Sequence, residues 1–209
     1  MDEEQAAERF HRDLEIVRSL SPSTSEPGLP CLIILYGLPG SGKSYFAQSV
    51  AERCNAVVLN SEQNRRAMVG GTLLYDGPEN RRLFKTLNRR VEELLDLGQF
   101  VVFDSTGLRD WIRNPLERIA EDRNLIPVRV HLDPPEEVIL HRLANRQLPP
   151  DPANGAKTWR DVYEWMLPGW QPITEPHLHL VNPACVRSAV DTVRRMLATH
   201  WKESLRTAT

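Results

Sequence analysis

The sequence predicts an α/β fold with a five-stranded, mainly parallel sheet and helices on both of its faces. From residue 31 onward, short apolar runs alternate with stretches of helical periodicity, the pattern of right-handed strand–helix–strand crossovers. Most of the apolar runs are continuous, which is typical of strands that are covered on both faces. A glycine-rich motif over residues 37–44 stands between the first apolar run and the first helical stretch. These three observations predict a P-loop NTPase fold.

The elements follow one another along the chain with few interruptions. Residues 1–20 predict an amphipathic helix, because acidic residues open it and apolar residues recur at helical spacing. We expect this helix to pack on the outside of the main domain (31–209), with partner binding as the alternative, and residues 21–30 to form a linker. The predicted strands are 31–36, 56–60, 100–104, 126–132 and 177–181. The predicted helices are 43–54, 62–69, 79–97, 110–123, 135–146, 157–167 and 184–201, and the proline-rich stretch 147–156 must be a loop.

Length and composition fit one globular domain. A chain of 209 residues, 41% hydrophobic and 26% charged, can bury a sizeable core. The formal net charge of −2 argues against a protein that coats long nucleic acid, although a local basic pocket for one strand end stays open. Three widely spaced cysteines predict neither a disulfide framework nor a zinc site. Since no apolar stretch reaches the length of a membrane helix, we expect a cytoplasmic protein without membrane contact.

The motif over residues 37–44 predicts a phosphate-binding loop. It reads GLPGSGKS and matches the pattern G-x-x-x-x-G-K-[ST] in full. Its glycines let the backbone turn sharply and aim N–H groups at phosphate oxygens, and the following helix adds the favourable end of its dipole. Lys43 is expected to reach the β- and γ-phosphates of ATP, and the Ser44 hydroxyl to bind Mg²⁺. The residues expected to hold the nucleotide are Gly37, Gly40, Ser41, Gly42, Lys43 and Ser44.

Two acidic residues follow the second and third predicted strands. Ligands of open parallel sheets bind at the carboxyl ends of the strands, which places Glu62 and Asp104 near the phosphate-binding loop. Glu62 could take the proton of an acceptor hydroxyl, or simply suit the dipole of a helix capped by Ser61 or Asn60. Asp104 could hold Mg²⁺ or its water shell, hold the acceptor, brace Arg65, or cap the next helix.

Two arginines beside the proline-rich loop form a third constellation. Arg142 and Arg146 are four residues apart and therefore share one helix face. Next to a loop able to move, they suit a lid that neutralises charge on a transferring phosphoryl group. A solvated basic face is the alternative.

Together these motifs resemble the P-loop kinases related to polynucleotide 5′-hydroxyl kinase. That family combines the phosphate-binding loop with an acidic residue three positions before an arginine, an aspartate after the third strand, and a lid with paired arginines. The matching residues here are Glu62 with Arg65, Asp104, and Arg142 with Arg146. The likeness runs from the first strand to the second of the paired arginines.

The resemblance implies a role for each matching residue. Lys43, Glu62 and Arg146 would be catalytic, with Glu62 as the general base and Arg146 stabilising transferring charge. Arg65 would bind an acceptor phosphate or position the base, and Asp104 would support the acceptor site. The implied lid covers about residues 142–170, with Arg142 assisting at the ATP phosphates.

Two departures from the family pattern fall on the acceptor side. The family usually has aspartate where Glu62 stands and commonly has asparagine where Gly107 stands. We therefore expect an ATP-dependent kinase that acts on a hydroxyl, with a polynucleotide 5′-OH end as the favoured acceptor. A sugar, antibiotic or nucleotide-sugar hydroxyl is the alternative, and an NTP-switched binding module is a second alternative.

Aromatic and basic residues offer further clues to the acceptor. The aromatic set could stack a base or pack the lid onto the core; it comprises Trp159, Tyr163, Trp165 and Trp170. The basic set could steer a phosphate-bearing acceptor or be a solvated helix surface; it comprises Arg81, Lys85 and Arg89. His177 and His179 share one face of the last strand, but no metal-ligand spacing joins them to a carboxylate, so they indicate no metal hydrolase.

Overall fold

Five parallel strands form the sheet of the computed structural model, which describes residues 3–24, 29–147, 155–181, 188–193 and 195–196. The strands are β1 (Cys31–Tyr36), β2 (Val57–Asn60), β3 (Phe100–Asp104), β4 (Val128–Leu132) and β5 (Leu178–Leu180). The helices are α1 (Glu3–Leu20), α2 (Lys43–Cys54), α3 (Ser61–Val69), α4 (Gly77–Asp96), α5 (Asp110–Glu121), α6 (Glu136–Ala144) and α7 (Trp159–Met166). Within these ranges, no helix is long and apolar enough to cross a membrane.

The sheet has the order β2-β3-β1-β4-β5, and each neighbouring pair is parallel. Strand β1 lies in the middle and is buried along its whole length, as its continuous apolar run predicts. The crossover from β1 to β2 passes β3, and the crossover from β3 to β4 passes β1. The predicted α/β class and parallel sheet are therefore confirmed.

Hydrophobic side chains cover both faces of the sheet. Alternate residues of β1 point to opposite faces, so Leu32 and Ile34 pack with α4 and α5, whereas Ile33 and Leu35 pack with α2. Residues 188–193 are helical and add to the second layer. The rest of the helix predicted for 184–201 lies partly outside the described residues.

Several element boundaries differ from the prediction, and a helix cap explains one of them. Helix α4 begins at Gly77, two residues early, because the Asp76 side chain accepts a hydrogen bond from the Glu79 amide at 2.8 Å. Helix α6 ends at Ala144 rather than 146, and β5 has only three residues. The predicted proline-rich loop falls mostly on 148–154, outside the described residues.

Helix α1 packs against α4 through apolar and charged contacts. Val17 is fully buried, and the buried Asp13 carboxylate accepts two hydrogen bonds of 2.6 Å from Arg82. After the helix, the Ser21 carbonyl accepts a hydrogen bond from Arg90. The amphipathic pattern of α1 is thus satisfied within the chain, by packing against the domain.

Candidate functional site

The phosphate-binding loop connects β1 to α2 in a conformation that requires glycine. Gly37 has a φ of 143°, and a Cβ atom there would lie 2.4 Å from the Leu132 carbonyl oxygen. Gly42, at φ 102°, precedes the first residue of α2. Since Gly42 has no side chain to cap the helix, the amides of the first turn are left for an anion.

The Lys43 ammonium lies buried across the loop. Its Nζ atom donates to the Leu38 carbonyl at 2.9 Å and to the Ser41 hydroxyl at 3.4 Å. Burial lowers the pKa of Lys43 to about 8, with Asp104 opposing the shift and the Arg146 charge adding to it. The ammonium therefore sits where a phosphate group would restore the stability of its charged form.

The carboxyl ends of β2 and β3 bring an amide and a carboxylate together. Asn60 and Asp104 are register partners, and the Asn60 Nδ2 atom donates to Asp104 Oδ2 at 2.5 Å. The same amide lies 3.5 Å from the Ser44 hydroxyl. The Asn60 Oδ1 atom also accepts from the Gln63 amide at 2.8 Å, so the predicted cap of α3 is present. Sequence reasoning assigned Asn60 to capping alone, and its alignment with Asp104 needed the strand order.

The Glu62 carboxylate faces the same cleft and is held by two donors. Its Oε1 atom accepts from the Tyr75 hydroxyl at 2.9 Å and from Arg66 Nη2 at 2.6 Å. Among the described residues, its Oε2 atom has a longer contact, 3.9 Å to Arg65 Nε. Burial and the Glu62 charge raise the pKa of Tyr75, which keeps the hydroxyl a donor.

Tyr75 is a site residue that the sequence analysis missed. It lies on the connection between α3 and α4 with a φ of 54°, an uncommon conformation for a residue with a bulky side chain. No motif marks this position, and a left-handed aromatic residue has no sequence signal of its own.

Arg65 lies behind Glu62 and away from the cleft. Its guanidinium pairs with Glu79, donates to Asn80 Oδ1 at 2.6 Å, and stacks 4.7 Å from the centre of the Tyr75 ring. The side chain is buried. This arrangement fits the implied role of positioning the base better than that of holding an acceptor phosphate, which stays a prediction.

The two arginines do not share one helix face as predicted, because α6 ends at Ala144 and Arg146 lies after it. Arg142 Nη1 donates to the Gly40 and Ser41 carbonyls, each at 3.1 Å. The Arg146 guanidinium lies 4.1 Å from the centre of the Trp159 ring, and the Trp159 indole donates to the Gln147 carbonyl at 3.0 Å. Arg142 therefore contacts the loop that is predicted to bind ATP, whereas Arg146 is exposed and lines the same cleft beside Trp159. The lid role of the two arginines stays a prediction.

Two of the lid aromatics pack the lid onto the core. Tyr163 is buried with Ile139 and Leu143 and packs α7 onto α6, and Trp159 packs against the same cluster while also lining the cleft. Stacking of a base stays a prediction. The capping box of Thr158 and Asp161 fixes the start of α7.

These elements enclose a cleft of about 350 Å³ at the carboxyl edge of the sheet. The predicted residues that line it are Gly40, Gly42, Lys43, Ser44, Glu62, Asp104, Arg142 and Arg146. The unpredicted residues that line it include Tyr45, Asn60, Tyr75, Val162 and Met166. Gly37 and Ser41 belong to the phosphate-binding loop but do not line the cleft, and Arg65 does not line it either.

Comparison with protein-family models identifies the chain. Residues 32–166 match a family described as an AAA domain, a stretch that spans the sheet from β1 to β4 and continues through the lid helix α7. The chain belongs to this AAA domain family. No curated protein sequence matches the chain.

Solved structures confirm the fold of this AAA domain. A structure of APS kinase from Mycobacterium tuberculosis in complex with AMPPNP and APS is 17% identical, with a TM-score of 0.62, covering 82% of this chain and 99% of that one. A gluconokinase from Sinorhizobium meliloti 1021 is 19% identical, with a TM-score of 0.59, covering 85% of this chain and 99% of that one. At these identities the likeness establishes a P-loop kinase-like fold.

Gly107 stands where the kinases that the sequence resembles commonly have asparagine, and its surroundings favour glycine. Its φ is 58°, a conformation that asparagine also adopts. A Cβ atom at Gly107, however, would lie 2.6 Å from Cδ1 of Tyr36, whose ring is fully buried at the end of β1. The large side chain on β1 therefore occupies the space that a residue other than glycine would need.

The expectation that no carboxylate joins the histidines was wrong, since His179 Nε2 lies 3.0 Å from Asp133 Oδ2. That they indicate no metal hydrolase stays a prediction. Parallel pairing of β4 with β5 produces this contact, and it joins residues 46 positions apart. Burial lowers the pKa of the neighbouring His131 to about 4. His131 and Asp133 belong to the matched AAA domain, whereas His179 lies beyond it.

Proposed function

We propose that this AAA domain is an ATP-dependent kinase that transfers the γ-phosphoryl group to a hydroxyl of a small molecule. One observation supports it above the others: the Glu62 carboxylate lines the same cleft as Lys43 and Ser44. The phosphate-binding loop alone binds a nucleotide, and a carboxylate beside it adds a group able to take the proton of an attacking alcohol.

The charges around the cleft favour a small-molecule acceptor over the polynucleotide 5′ end that the resemblance favoured. Arg66 is paired with Glu62, and Arg65 with Glu79. Among the described residues, the cations that line the cleft are Lys43, Arg142 and Arg146, which lie on the side of the phosphate-binding loop. Within the described part of the chain, an acceptor phosphate would therefore meet neither an unpaired cation nor a basic groove beside Glu62.

The basic face predicted on α4 does not alter this balance. Lys85 Nζ lies 4.9 Å from the centre of the Phe10 ring, and Arg89 pairs with Glu92 at 3.0 Å. Both side chains contact neighbours on α1 or α4 rather than the cleft. The APS kinase and gluconokinase structures, both named for small-molecule substrates, support the same choice.

The donor set fits a magnesium ion next to the nucleotide. Ser44 and Asp104 offer oxygen atoms beside the same Asn60 amide, and Mg²⁺ prefers oxygen ligands with few of them from protein. When bound, the ion would neutralise charge on the β- and γ-phosphates.

The chain's own residues supply positioning and charge. The acceptor oxygen forms a bond to the γ-phosphorus while the bond from that phosphorus to the ADP oxygen breaks, and the hydroxyl proton passes to Glu62. The Oε2 atom is the better acceptor, because Oε1 already accepts two hydrogen bonds. Lys43 and Arg146 compensate charge on the phosphoryl oxygens.

An acceptor screen tests the proposal. The full chain is incubated with γ-labelled ATP, Mg²⁺, and either a panel of small alcohols and sugars or a 5′-OH oligonucleotide. We expect label on a small molecule and none on the oligonucleotide. Labelling of the oligonucleotide alone would restore the polynucleotide acceptor, and ATP hydrolysis that no acceptor stimulates would favour the NTP-switched module.

A further inference from the structure

Two histidines and an aspartate share one face of the sheet at its β4–β5 edge. His131 and His179 are register partners on neighbouring strands, so their side chains project side by side. Asp133 follows His131 by two residues, and its amide donates to the Leu180 carbonyl at 2.9 Å, which extends the pairing beyond β4. The register of the sheet, rather than a loop, brings the three side chains together.

The three side chains are close enough to share one ion. Their ligand atoms all lie within 4.8 Å of one another, and His179 Nε2 is 3.0 Å from Asp133 Oδ2. Tetrahedral zinc, with bonds of about 2.0–2.1 Å, holds its ligands roughly 3.3 Å apart. The side chains of His179 and Asp133 are 46% and 53% exposed, so rotation about their own bonds can close the difference without moving the backbone.

The rings around the site show which ligand must turn. The His131 ring stacks on Trp170, at 4.8 Å between ring centres, and on His179, at 4.9 Å with 7° between the ring planes. Since an ion lies in the plane of each imidazole that binds it, the exposed His179 ring must rotate out of this stack for both nitrogens to meet one ion. A second cavity of about 380 Å³ is lined by His131 and Asp133, which gives an ion a path to the site.

We propose that His131, Asp133 and His179 bind a divalent transition-metal ion such as Zn²⁺. Two imidazoles and one carboxylate are a donor set that zinc favours, whereas Mg²⁺ prefers oxygen ligands. The site is separate from the phosphate cleft, since none of its residues lines that cleft. A bound ion would tie the three-residue strand β5 to β4.

Metal titration of the full chain tests this proposal. The tag-free protein is stripped with a chelator and titrated with Zn²⁺ by calorimetry, and with Co²⁺ by visible absorption, at protein concentrations on the order of 10 µM. We expect one equivalent to bind, with the intense Co²⁺ bands of a tetrahedral site. His179→Gln and Asp133→Asn should each weaken binding roughly tenfold or more. His141→Gln, which removes an exposed histidine of α6, should bind as the unaltered chain does.

Two further measurements keep the result interpretable. Asp104→Asn must retain Zn²⁺ binding, because loss of binding in that variant would place the ion in the phosphate cleft and overturn the proposal. Zn²⁺ should raise the unfolding temperature of the unaltered chain but not that of His179→Gln. The proposal is also wrong if the unaltered chain binds no equivalent of Zn²⁺, or if His179→Gln and Asp133→Asn bind it unchanged while remaining folded by circular dichroism.

Discussion

Replacing Glu62 with glutamine separates its chemical role from its structural one. The amide oxygen of the introduced glutamine can occupy the position of Oε1 and still accept from Tyr75 and Arg66, so the local geometry is retained. The group can no longer take a proton. Because Glu62 pairs with Arg66 at the surface, with 36% of its side chain exposed, loss of the pair should change the free energy of unfolding by less than about 1 kcal/mol.

The size of the kinetic effect follows from the role proposed for this carboxylate. General base catalysis contributes roughly 10²- to 10⁴-fold, so kcat for the acceptor found in the screen should fall by that factor. At 1.36 kcal/mol for each factor of ten, this is about 2.7–5.4 kcal/mol of transition-state free energy. No hydrogen bond joins Glu62 to Lys43 or Ser44, so the dissociation constant for ATP should stay within roughly threefold.

A matched variant controls for the loss of a surface charge. Glu92 pairs with Arg89 at 3.0 Å on α4, has a similar exposure of 32%, and lies outside the cleft. Glu92→Gln should keep full activity in the same coupled assay of ADP release. A fall of less than tenfold in kcat for Glu62→Gln, with folding intact, would remove Glu62 as the base.

Three other perturbations give separate readouts. Tyr75→Phe removes one hydrogen-bond donor to the Glu62 carboxylate, a bond worth about 0.5–1.5 kcal/mol at a partly exposed site. The kcat should therefore fall roughly 2- to 10-fold. An unchanged rate and pH profile would show that Tyr75 does not position the base. Burial holds the pKa of Lys43 at about 8, and Lys43 attracts phosphate only in its protonated form. The affinity for ATP in calorimetry should therefore be constant below pH 8 and fall above it. A flat profile to pH 10 would contradict this. Gly107→Ala should reduce the free energy of unfolding in urea by about 2–4 kcal/mol. The control is Gly70→Ala, which has a similar φ of 64° and no atom within 4 Å of the added Cβ, so it should cost only about 1 kcal/mol. Equal losses would refute the steric argument.

The parts of the site that were predictable from sequence are those that depend on consecutive residues. The residue types of the phosphate-binding loop and its place between a strand and a helix determine the backbone of residues 37–44, and the structure agrees. The approach of Glu62 and Asp104 to this loop followed from one general rule, that ligands bind at the carboxyl ends of parallel strands.

Other contacts depend on which strands and helices are neighbours, and they could not be predicted from the sequence. Asn60 contacts Asp104 because β2 pairs with β3 in one register, a fact that the two strand sequences do not contain. Arg65 lies beneath Glu62 because α4 brings Glu79 to it from 14 residues away. The histidine cluster arises in the same way from the pairing of β4 with β5.

The strand order also explains why a nucleotide phosphate and an acceptor hydroxyl can meet in this fold. The chain leaves β1 and passes over β3 to reach β2, and it later leaves β3 and passes over β1 to reach β4. The helices that follow β1 and β3 pack on opposite faces of the sheet, so the connections after these two neighbouring strands separate and open a crevice. The loop after β1 supplies Lys43 and Ser44 to this crevice, and the end of β3 supplies Asp104. Glu62 follows the end of β2, which lies one strand farther out in the sheet. A hydroxyl bound next to Glu62 would therefore lie beside the phosphate-binding loop rather than within it. A kinase needs this lateral offset, because the acceptor must approach the γ-phosphorus from the side opposite the leaving ADP oxygen.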